Sequence, residues 1–257
     1  LYLNQDNSAT WITGTINVDL GAVRAQNARA LGGPGSIVNV RRGGVLDIGA
    51  ADFFTNNQAT LNFANESVLR LSADLGNFGS QSIGGATLQI NADQHGTGTV
   101  TLAAGAGIEG FLFLDDTTQF QSRTTGANFD LVLSGSNYIG QSRAAGQTGI
   151  DGGRSYINSA ANNQFAPFTY QPYGATLDVR GVISGSGGLT KLGFDLATLS
   201  GENTYSGGTT VMEGILAIGA DNALPTGGDL TVRGGNAFVN TQIGYVTGVF
   251  DLNGYDQ

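Results

Sequence analysis

Short runs in which every second residue is apolar recur along nearly the whole chain. Residues 36–40, 67–71 and 175–179 are three examples, and each has Gly or Asn close before it. Such alternation, rich in β-branched residues, is typical of strands that bury one face and expose the other. Helical periodicity is nearly absent, since residues 23–31 could form one turn before the Gly-Gly-Pro at 32–34 ends it. The pattern predicts an all-β protein.

Glycine contributes 42 of the 257 residues, far above the ~7% of an average protein. The chain has no G-X-Y period, which excludes collagen, and its 40% apolar content is too high for a disordered linker. A sandwich or an up-and-down barrel would need many Asn-Gly or Asp-Gly hairpin turns, and few are present, such as Asn253-Gly254 and Asp151-Gly152. Glycines between the runs instead indicate bends at the corners of a coil.

An internal duplication decides between these β architectures. Four short segments of the N-terminal region recur in the same order near the C-terminus: 18–23 as 211–216, 30–31 as 223–224, 36–40 as 228–232, and 44–48 as 248–252. The second copy carries an insertion at about residues 234–247. Insertions confined to loops are what a stack of repeats tolerates.

We therefore expect a right-handed parallel β-helix, a solenoid whose rungs are short strands joined by Gly-rich bends. At about 20–25 residues per rung the chain would form roughly 10–12 rungs. At about 4.8 Å per strand these rungs would form a rod on the order of 50–60 Å long. Residues 1–257 are predicted to be one solenoid fragment of a larger protein, with 11–50 and 174–257 as related repeat units and 121–173 as an irregular insertion.

Charge and composition argue against several classes of partner. The chain has 11 basic and 20 acidic residues, and its one lysine is Lys191. Nucleic acids and anionic membrane surfaces both require clustered basic residues, so we predict neither as a partner. No apolar run reaches the ~18 residues of a membrane-spanning helix, so we expect no direct membrane insertion by this fragment. The absence of cysteine excludes disulfides, zinc–thiolate sites and thiol nucleophiles.

No catalytic constellation is evident in the sequence. His95 lies in a polar turn without the serine and third group of a catalytic triad. Asp115 and Asp116 are adjacent, so on a strand they would point to opposite faces and could not act together on a glycosidic bond. Calcium-loop motifs are also absent. We therefore expect no enzyme activity, no cofactor and no metal site.

A second hypothesis is a polysaccharide lyase or hydrolase of the parallel β-helix class. It requires carboxylates of neighbouring rungs to converge in a groove beside an Arg or Lys. By alternation, Asp178 and Arg180 lie on the same face of one strand. This placement is compatible with such a site, and it is also what a surface ion pair would show.

A longer motif occupies residues 187–219. Gly-Gly-Leu-Thr-Lys-Leu-Gly at 187–193 is followed by Thr-Leu-Ser-Gly at 198–201 and by Asn-Thr-Tyr-Ser-Gly-Gly-Thr-Thr-Val at 203–211. This motif resembles the autotransporter-associated β-strand repeat, and residues 11–50 match its second half. The resemblance implies a β-helical passenger on the surface of a diderm bacterium, usually secreted through a C-terminal outer-membrane barrel outside this chain. Members of such families include adhesins, aggregation factors and surface fibres.

Three residues of the motif are expected to have structural roles. The ring of Tyr205 is predicted to pack at a corner while its hydroxyl stays in water. Asn203 is predicted to bond backbone groups at a bend. Lys191 is predicted to be exposed and solvated.

The segment 121–173 is the predicted place for specificity, because alternation is poor after Leu133 and Ser, Asn, Gln and Gly are frequent. Its aromatic residues are either packed back on the solenoid or exposed on a binding loop. The candidate binding residues are Phe165, Phe168, Tyr170 and Tyr173. The chain is thus predicted to be an extracellular structural or adhesive module, a stalk or fibre that associates with itself or binds a glycan or protein ligand.

Overall fold

The structure is a computed structural model that describes residues 1–8, 14–110, 124–140, 176–193, 196–239 and 242–257. Within these residues the chain forms 23 strands and one short helix, α1 (Phe53–Asn56). In chain order the strands are β1 (Tyr2–Leu3), β2 (Thr15–Val18), β3 (Gly21–Ala25), β4 (Ile37–Val40), β5 (Gly44–Ile48), β6 (Thr60–Phe63), β7 (Val68–Leu71), β8 (Gly79–Ile83), β9 (Thr87–Ile90), β10 (Gly98–Leu102), β11 (Gly107–Gly110), β12 (Thr124–Ala127), β13 (Asp130–Leu133), β14 (Ser136–Gly140), β15 (Thr176–Val179), β16 (Ile183–Gly185), β17 (Gly188–Leu192), β18 (Leu196–Leu199), β19 (Thr209–Val211), β20 (Gly214–Ile218), β21 (Leu230–Val232), β22 (Gly234–Val239) and β23 (Gln242–Asp251).

The strands pair across turns of a coil rather than with their neighbours in the chain. The first face is one ten-stranded sheet, β1-β3-β5-β7-β9-β11-β14-β17-β19-β21. The second face consists of β2-β4-β6 followed by β8-β10-β13-β16, and the third face of β12-β15-β18-β20-β23-β22. The ladders are parallel, except for the antiparallel pair of β22 with β23. This topology confirms the predicted all-β, parallel β-helix class.

Hydrogen bonds between side chains show how many residues make one rung. Bonded partners on adjacent rungs are 22 residues apart for Asn17 and Asn39, 23 for Asn39 and Asn62, and 20 for Gln89 and Glu109. Within these rungs the spacing agrees with the ~20–25 residues typical of such repeats.

The third face begins as loops and becomes a sheet only later. From β3 to β10 the chain returns to the second face through segments without long strands, and one of these contains α1. Gln94, in the last of these segments, forms a parallel bridge with Ala127 of β12. The loops therefore stack in line with the strands that replace them.

One continuous core runs through the coil. Inward side chains of the first face stack in register, as Leu46, Leu69, Leu88 and Ile108 do on successive rungs. Burying one such side chain contributes about 1.5–3 kcal/mol. The rings of Phe53, Phe54, Phe78 and Phe129 form a chain of contacts with centroids 5.4, 5.4 and 4.4 Å apart.

Two corners of the duplicated segments have the same backbone hydrogen bonds. At the N-terminal corner, Arg41 N–H donates to the carbonyl of Val18 at 2.9 Å, and Gly44 N–H donates to that of Arg41 at 2.8 Å. The C-terminal corner repeats both bonds at 2.8 Å, from Arg233 to Val211 and from Gly248 to Arg233.

Both corners also require glycine. A Cβ on Gly44 would lie 2.1 Å from the carbonyl oxygen of Val18, and one on Gly248 would lie 2.4 Å from that of Val211. The two corners nevertheless lie on different faces, because Gly44 begins a strand of the first face and Gly248 pairs within the third. Residues 234–247 lie at the second corner, where β22 and the first part of β23 form an antiparallel hairpin.

Candidate functional surfaces

The predicted binding aromatics, Phe165, Phe168, Tyr170 and Tyr173, lie outside the described residues. Asp115 and Asp116 lie outside them as well. Their roles remain predictions. The surfaces described below belong to the part of the chain that the structure describes.

Asn203 joins three successive rungs with one side chain. Its Oδ1 accepts a hydrogen bond from Ile183 N–H at 2.7 Å, and its Nδ2 donates to the carbonyl of Ala223 at 2.6 Å. The two partners lie 20 residues before and 20 residues after it, and Asn203 is buried. As predicted, the amide side chain satisfies backbone groups at a bend, where no strand is present to do so.

The prediction that Lys191 is exposed is wrong. Its side chain is fully buried, on the inward face of β17 that also carries Leu189. The Nζ donates to the carbonyls of Leu192 and Gly193, both at 2.9 Å, and to that of Glu213 at 3.3 Å. Lys191 is buried because the corner after β17 needs a donor for these carbonyls. A long side chain from an inward position can supply it.

The prediction that the Tyr205 hydroxyl stays in water is also wrong. Tyr205 is 1% exposed, and its hydroxyl forms a 2.5 Å hydrogen bond with Oγ1 of Thr209. Burial raises the pKa of Tyr205 to about 12, although the bond to Thr209 acts in the opposite direction. The motif places a threonine four residues later at the inward start of β19, which gives the buried hydroxyl a partner. We call Lys191, Asn203 and Tyr205 the staple residues.

Asp178 and Arg180 form the ion pair that alternation allows. Arg180 Nε lies 2.8 Å from Asp178 Oδ2, and Ser200 Oγ donates to Asp178 Oδ1 at 2.6 Å from the next rung. The Arg180 guanidinium lies over Gly126 of the preceding rung, where a Cβ would approach its Cζ to 2.5 Å. The group therefore spans three rungs on the outside of the third face.

His95 is exposed, as predicted, and faces Asp74 of the preceding rung. Its Nδ1 lies 2.9 Å from Asp74 Oδ2, and its backbone N–H donates to Oδ1 at 3.1 Å. Partial burial raises the pKa of Asp74, but the hydrogen bonds from His95 and Gly76 outweigh it and leave this pKa below its ordinary value. No group of three or more potential metal ligands occurs within the described residues.

Two polar ladders follow the axis of the N-terminal half, and sequence reasoning missed both. On the second face Asn39 donates to Asn17 at 3.0 Å, and Asn62 donates to Asn39 at 2.9 Å, and both bonds are exposed. On the outer side of the first face, five in-register positions are polar or charged, and these are Arg24, Asp47, Arg70, Gln89 and Glu109. The recurrence of one residue type at the rung spacing is the signal that could have identified the asparagine ladder.

The polar ladder of the first face is partly buried. Arg70 Nε donates to Gln89 Oε1 at 2.9 Å, and Gln89 Nε2 donates to Glu109 Oε1 at 2.5 Å. Burial lowers the pKa of Arg70, and the carboxylates of Asp47 and Glu109 oppose that shift. These contacts join neighbouring rungs, and the Gln89 amide and the Glu109 carboxylate are both buried.

The described surface also has an open cleft. The cleft, of about 380 Å³, lies where the second face changes from β6 to β8, and it is lined by Phe54, Leu61, Phe63 and Ile83 among others.

Comparison with known families identifies the motif segment. Residues 189–218 match the family model of the passenger-associated-transport-repeat. Over these residues the chain is similar to that passenger repeat. Lys191, Asn203 and Tyr205 all lie inside the matched segment and are buried. The repeat implies an extracellular surface location.

No curated protein matches the chain significantly, and neither does any solved structure. Among the described residues, no helix is long and apolar enough to cross a membrane. The match to the passenger repeat and the parallel topology are therefore the two findings that bear on function.

Proposed function

We propose that this chain is an extracellular structural and adhesive module of an autotransporter-like surface protein, a rigid stalk or fibre segment outside a diderm bacterium. The observation that supports the proposal is the use of the staple residues. Lys191, Asn203 and Tyr205 are the chemically versatile side chains of the repeat, and each bonds within or between rungs. A segment whose buried polar groups all serve to hold the coil together is suited to maintaining the length and shape of a rod.

The outer surface supports the same role. On the outer side of the coil, hydrogen bonds join one rung to the next. They occur in the asparagine ladder and in the group of Asp178, Arg180 and Ser200. With a net charge of −9, the surface suits a protein that stays soluble and resists non-specific binding. Contact with a second copy or with a glycan or protein ligand would then occur at defined places, such as strand edges or loops.

We place catalysis second. Asp178 and Arg180 do lie together, but their polar atoms bond to each other and to Ser200, so the pair is already occupied. A lyase or hydrolase would need these groups to face a substrate with a second carboxylate across a groove. The contacts around Asp178 support a rung-joining role better.

Two measurements on the same preparation test the proposal. Electron microscopy of the chain should show straight rods of uniform width, and compact round particles would contradict the stalk role. Incubation with pectin and polyuronates should give no chain cleavage above the rate of a buffer blank. Turnover that Asp178→Ala abolishes, while the exposed-site control Asp221→Ala retains it, would establish an enzyme and overturn the proposal.

A further inference from the structure

The second face of the coil is split between β6 and β8. β6 pairs with β4, and β8 pairs with β10, but among the described strands no ladder joins β6 to β8. On the first face the strands that follow them, β7 and β9, pair in register. The two rungs are therefore joined on one face and apart on the other, and the cleft of about 380 Å³ lies where they are apart.

The split uncovers part of the core. Val38 and Val40 of β4 are almost completely buried, whereas Leu61 and Phe63, which continue the same two columns on β6, are only partly buried. Both of these side chains line the cleft, and so does Leu69, a buried inward residue of the first face. The cleft therefore leads from the surface toward the interior of the coil, and a ligand in it would contact apolar side chains.

The strand edges at the split carry backbone groups that are free to bond a ligand. The N–H of Thr60 donates to the rung of β4, and the carbonyl of Ile83 accepts from the rung of β10. Successive residues of a strand direct their backbone groups to opposite neighbours. Leu61 and Phe63 on one side, and Ser82 on the other, thus direct their N–H and C=O groups toward the split.

Gln81 is a polar residue in an apolar inward column. Its in-register partners on the next three rungs are Val100, Leu131 and Ile183, and all three are buried. Its Nε2 donates to the carbonyl of Phe78 at 2.8 Å, and its Oε1 remains as an acceptor where Gln81 lines the cleft. An acceptor at an inward position is suited to a ligand that enters the cleft and donates a hydrogen bond to it.

The lining of the cleft is uncharged. None of the described residues that line it is acidic or basic, although the whole chain carries a net charge of −9. An ion entering such a site would lose hydration without an opposite charge to replace it. The lining thus favours an uncharged ligand that donates and accepts hydrogen bonds and also offers C–H surface to Phe54 and Phe63. A neutral sugar ring has these properties, with hydroxyl groups around its edge and C–H groups on its faces.

The closed end of the split argues against an extended peptide as the ligand. At the corner after β6, Glu66 N–H donates to the carbonyl of Gly85 at 3.2 Å. A Cβ on Gly84 would lie 2.5 Å from the carbonyl oxygen of Phe63, so the rungs are close together there. A strand inserted between β6 and β8 could not continue past this corner. The volume is near the lower limit for small-molecule pockets, which suits about one or two sugar rings.

We propose that the cleft between β6 and β8 binds a neutral saccharide. Gln81 and Ser82 supply side-chain hydrogen-bond groups, and the two strand edges supply backbone groups. The C–H face of the sugar packs against Phe54 and Phe63. The inference rests on the proposed function, since it assigns the glycan ligand of that proposal to one site.

Amide chemical shifts in NMR spectra measure this binding and locate it. The chain is titrated with glucose, galactose, mannose, N-acetylglucosamine and their β-linked disaccharides. We expect at least one of these sugars to shift the amides of Leu61, Phe63 and Ser82, with a dissociation constant on the order of 1 mM. Glucuronic acid and glucosamine keep the ring but carry a charge, and they should bind at least about tenfold more weakly.

Two variants remove the side-chain groups, and one matched control accompanies them. Ser80→Ala is the control for Ser82→Ala, because Ser80 is also exposed on β8 but does not line the cleft. We expect the affinity to fall about threefold to tenfold in Ser82→Ala, about tenfold or more in Gln81→Leu, and not at all in Ser80→Ala. Gln81→Leu should stay folded, since its column holds Leu131 two rungs later, and its urea midpoint checks this.

Each outcome decides the inference. No shift of these amides by any neutral sugar up to about 10 mM would overturn it, while straight rods in electron microscopy would still support the stalk role. Equal binding of neutral and charged sugars would contradict it, and so would equal effects of Ser80→Ala and Ser82→Ala. If a capped Val-Thr-Val-Thr peptide shifts the same amides and the sugars do not, the split is a site of strand addition and the inference is wrong.

Discussion

The asparagine ladder joins the N-terminal rungs on the outer surface, whereas Asn203 and Lys191 of residues 189–218 form their bonds inside the coil. Asn17, Asn39 and Asn62 bond to one another in contact with water. Asn203 and Lys191 bond to backbone groups that have no access to water. Removing a partner from a buried polar group costs about 1–3 kcal/mol, while an exposed bond is replaced by water at little cost. Asn203 and Lys191 should therefore contribute more to the free energy of unfolding than the asparagine ladder does.

The largest expected effect is that of Asn203→Ala. This change leaves the Ile183 N–H and the Ala223 carbonyl buried without the partners that they now have. We expect the free energy of unfolding in urea to fall by about 3 kcal/mol. Hydrogen exchange of the Ile183 amide should accelerate well beyond that of amides in β4. An unchanged urea midpoint would show that the bend is satisfied without Asn203.

Lys191→Met should have the second-largest effect. Methionine keeps most of the buried side-chain volume but removes the donor to the carbonyls of Leu192, Gly193 and Glu213. A carbonyl without a partner is tolerated better than an N–H, so we expect a loss of about 2 kcal/mol in urea unfolding. Equal or greater stability of the methionine variant would mean that burial of the ammonium group outweighs its hydrogen bonds.

Tyr205→Phe sharpens the comparison through its pH dependence. At neutral pH the loss of the bond to Thr209 should reduce the free energy of unfolding by about 1 kcal/mol. The pKa of Tyr205 is raised to about 12 in the folded chain, so the folded state retains its proton where the unfolded state has lost it. The contribution of Tyr205 to the free energy of unfolding is fully present below pH ~10 and declines as the pH rises from about 10 to 12. The difference between parent and variant should shrink over that range in thermal unfolding, and a constant difference would contradict the burial of this hydroxyl.

The smallest effect is expected for Asn39→Ala in the exposed ladder. Asn39 bonds to both Asn17 and Asn62, so like Asn203 it joins three rungs, but its partners are side chains on the outer surface. We expect a change within about 0.5 kcal/mol in urea unfolding. A loss of stability as large as that of Asn203→Ala would show that exposed and buried hydrogen bonds between rungs contribute equally.

The sequence predicted the fold class because strand alternation and rung length are local properties. Period-two runs place side chains on one side of a strand whatever the strand packs against, and the duplicated segments share a corner with identical hydrogen bonds. The face that each segment occupies was not predictable, because it depends on how far the loops carry the chain around the coil. The same duplicated corner lies on the first face at Gly44 and on the third at Gly248.

The surroundings of individual polar side chains were harder to predict than the fold class. Alternation places Lys191 on the same side of its strand as Leu189, but the general preference of lysine for water favoured the opposite interpretation. The hydroxyl of Tyr205 is buried because Thr209 supplies a partner, a contact that depends on the bend between them. The hairpin of β22 and β23 lies in the predicted insertion, but its antiparallel pairing depends on backbone geometry. Phe165, Phe168, Tyr170 and Tyr173 remain a prediction.

Native-state hydrogen exchange in low urea tests the central claim most directly, because it reports the stability of each rung separately. The account predicts that the amide of Val211, inside the passenger repeat, and that of Ile183, which donates to Asn203, exchange only by global opening. Amides of β2 and β4 should exchange earlier, through opening of the N-terminal rungs. Equal protection along the coil, or greater protection of β2 and β4, would contradict the claim that the buried staple residues make the repeat the most stable part of the rod.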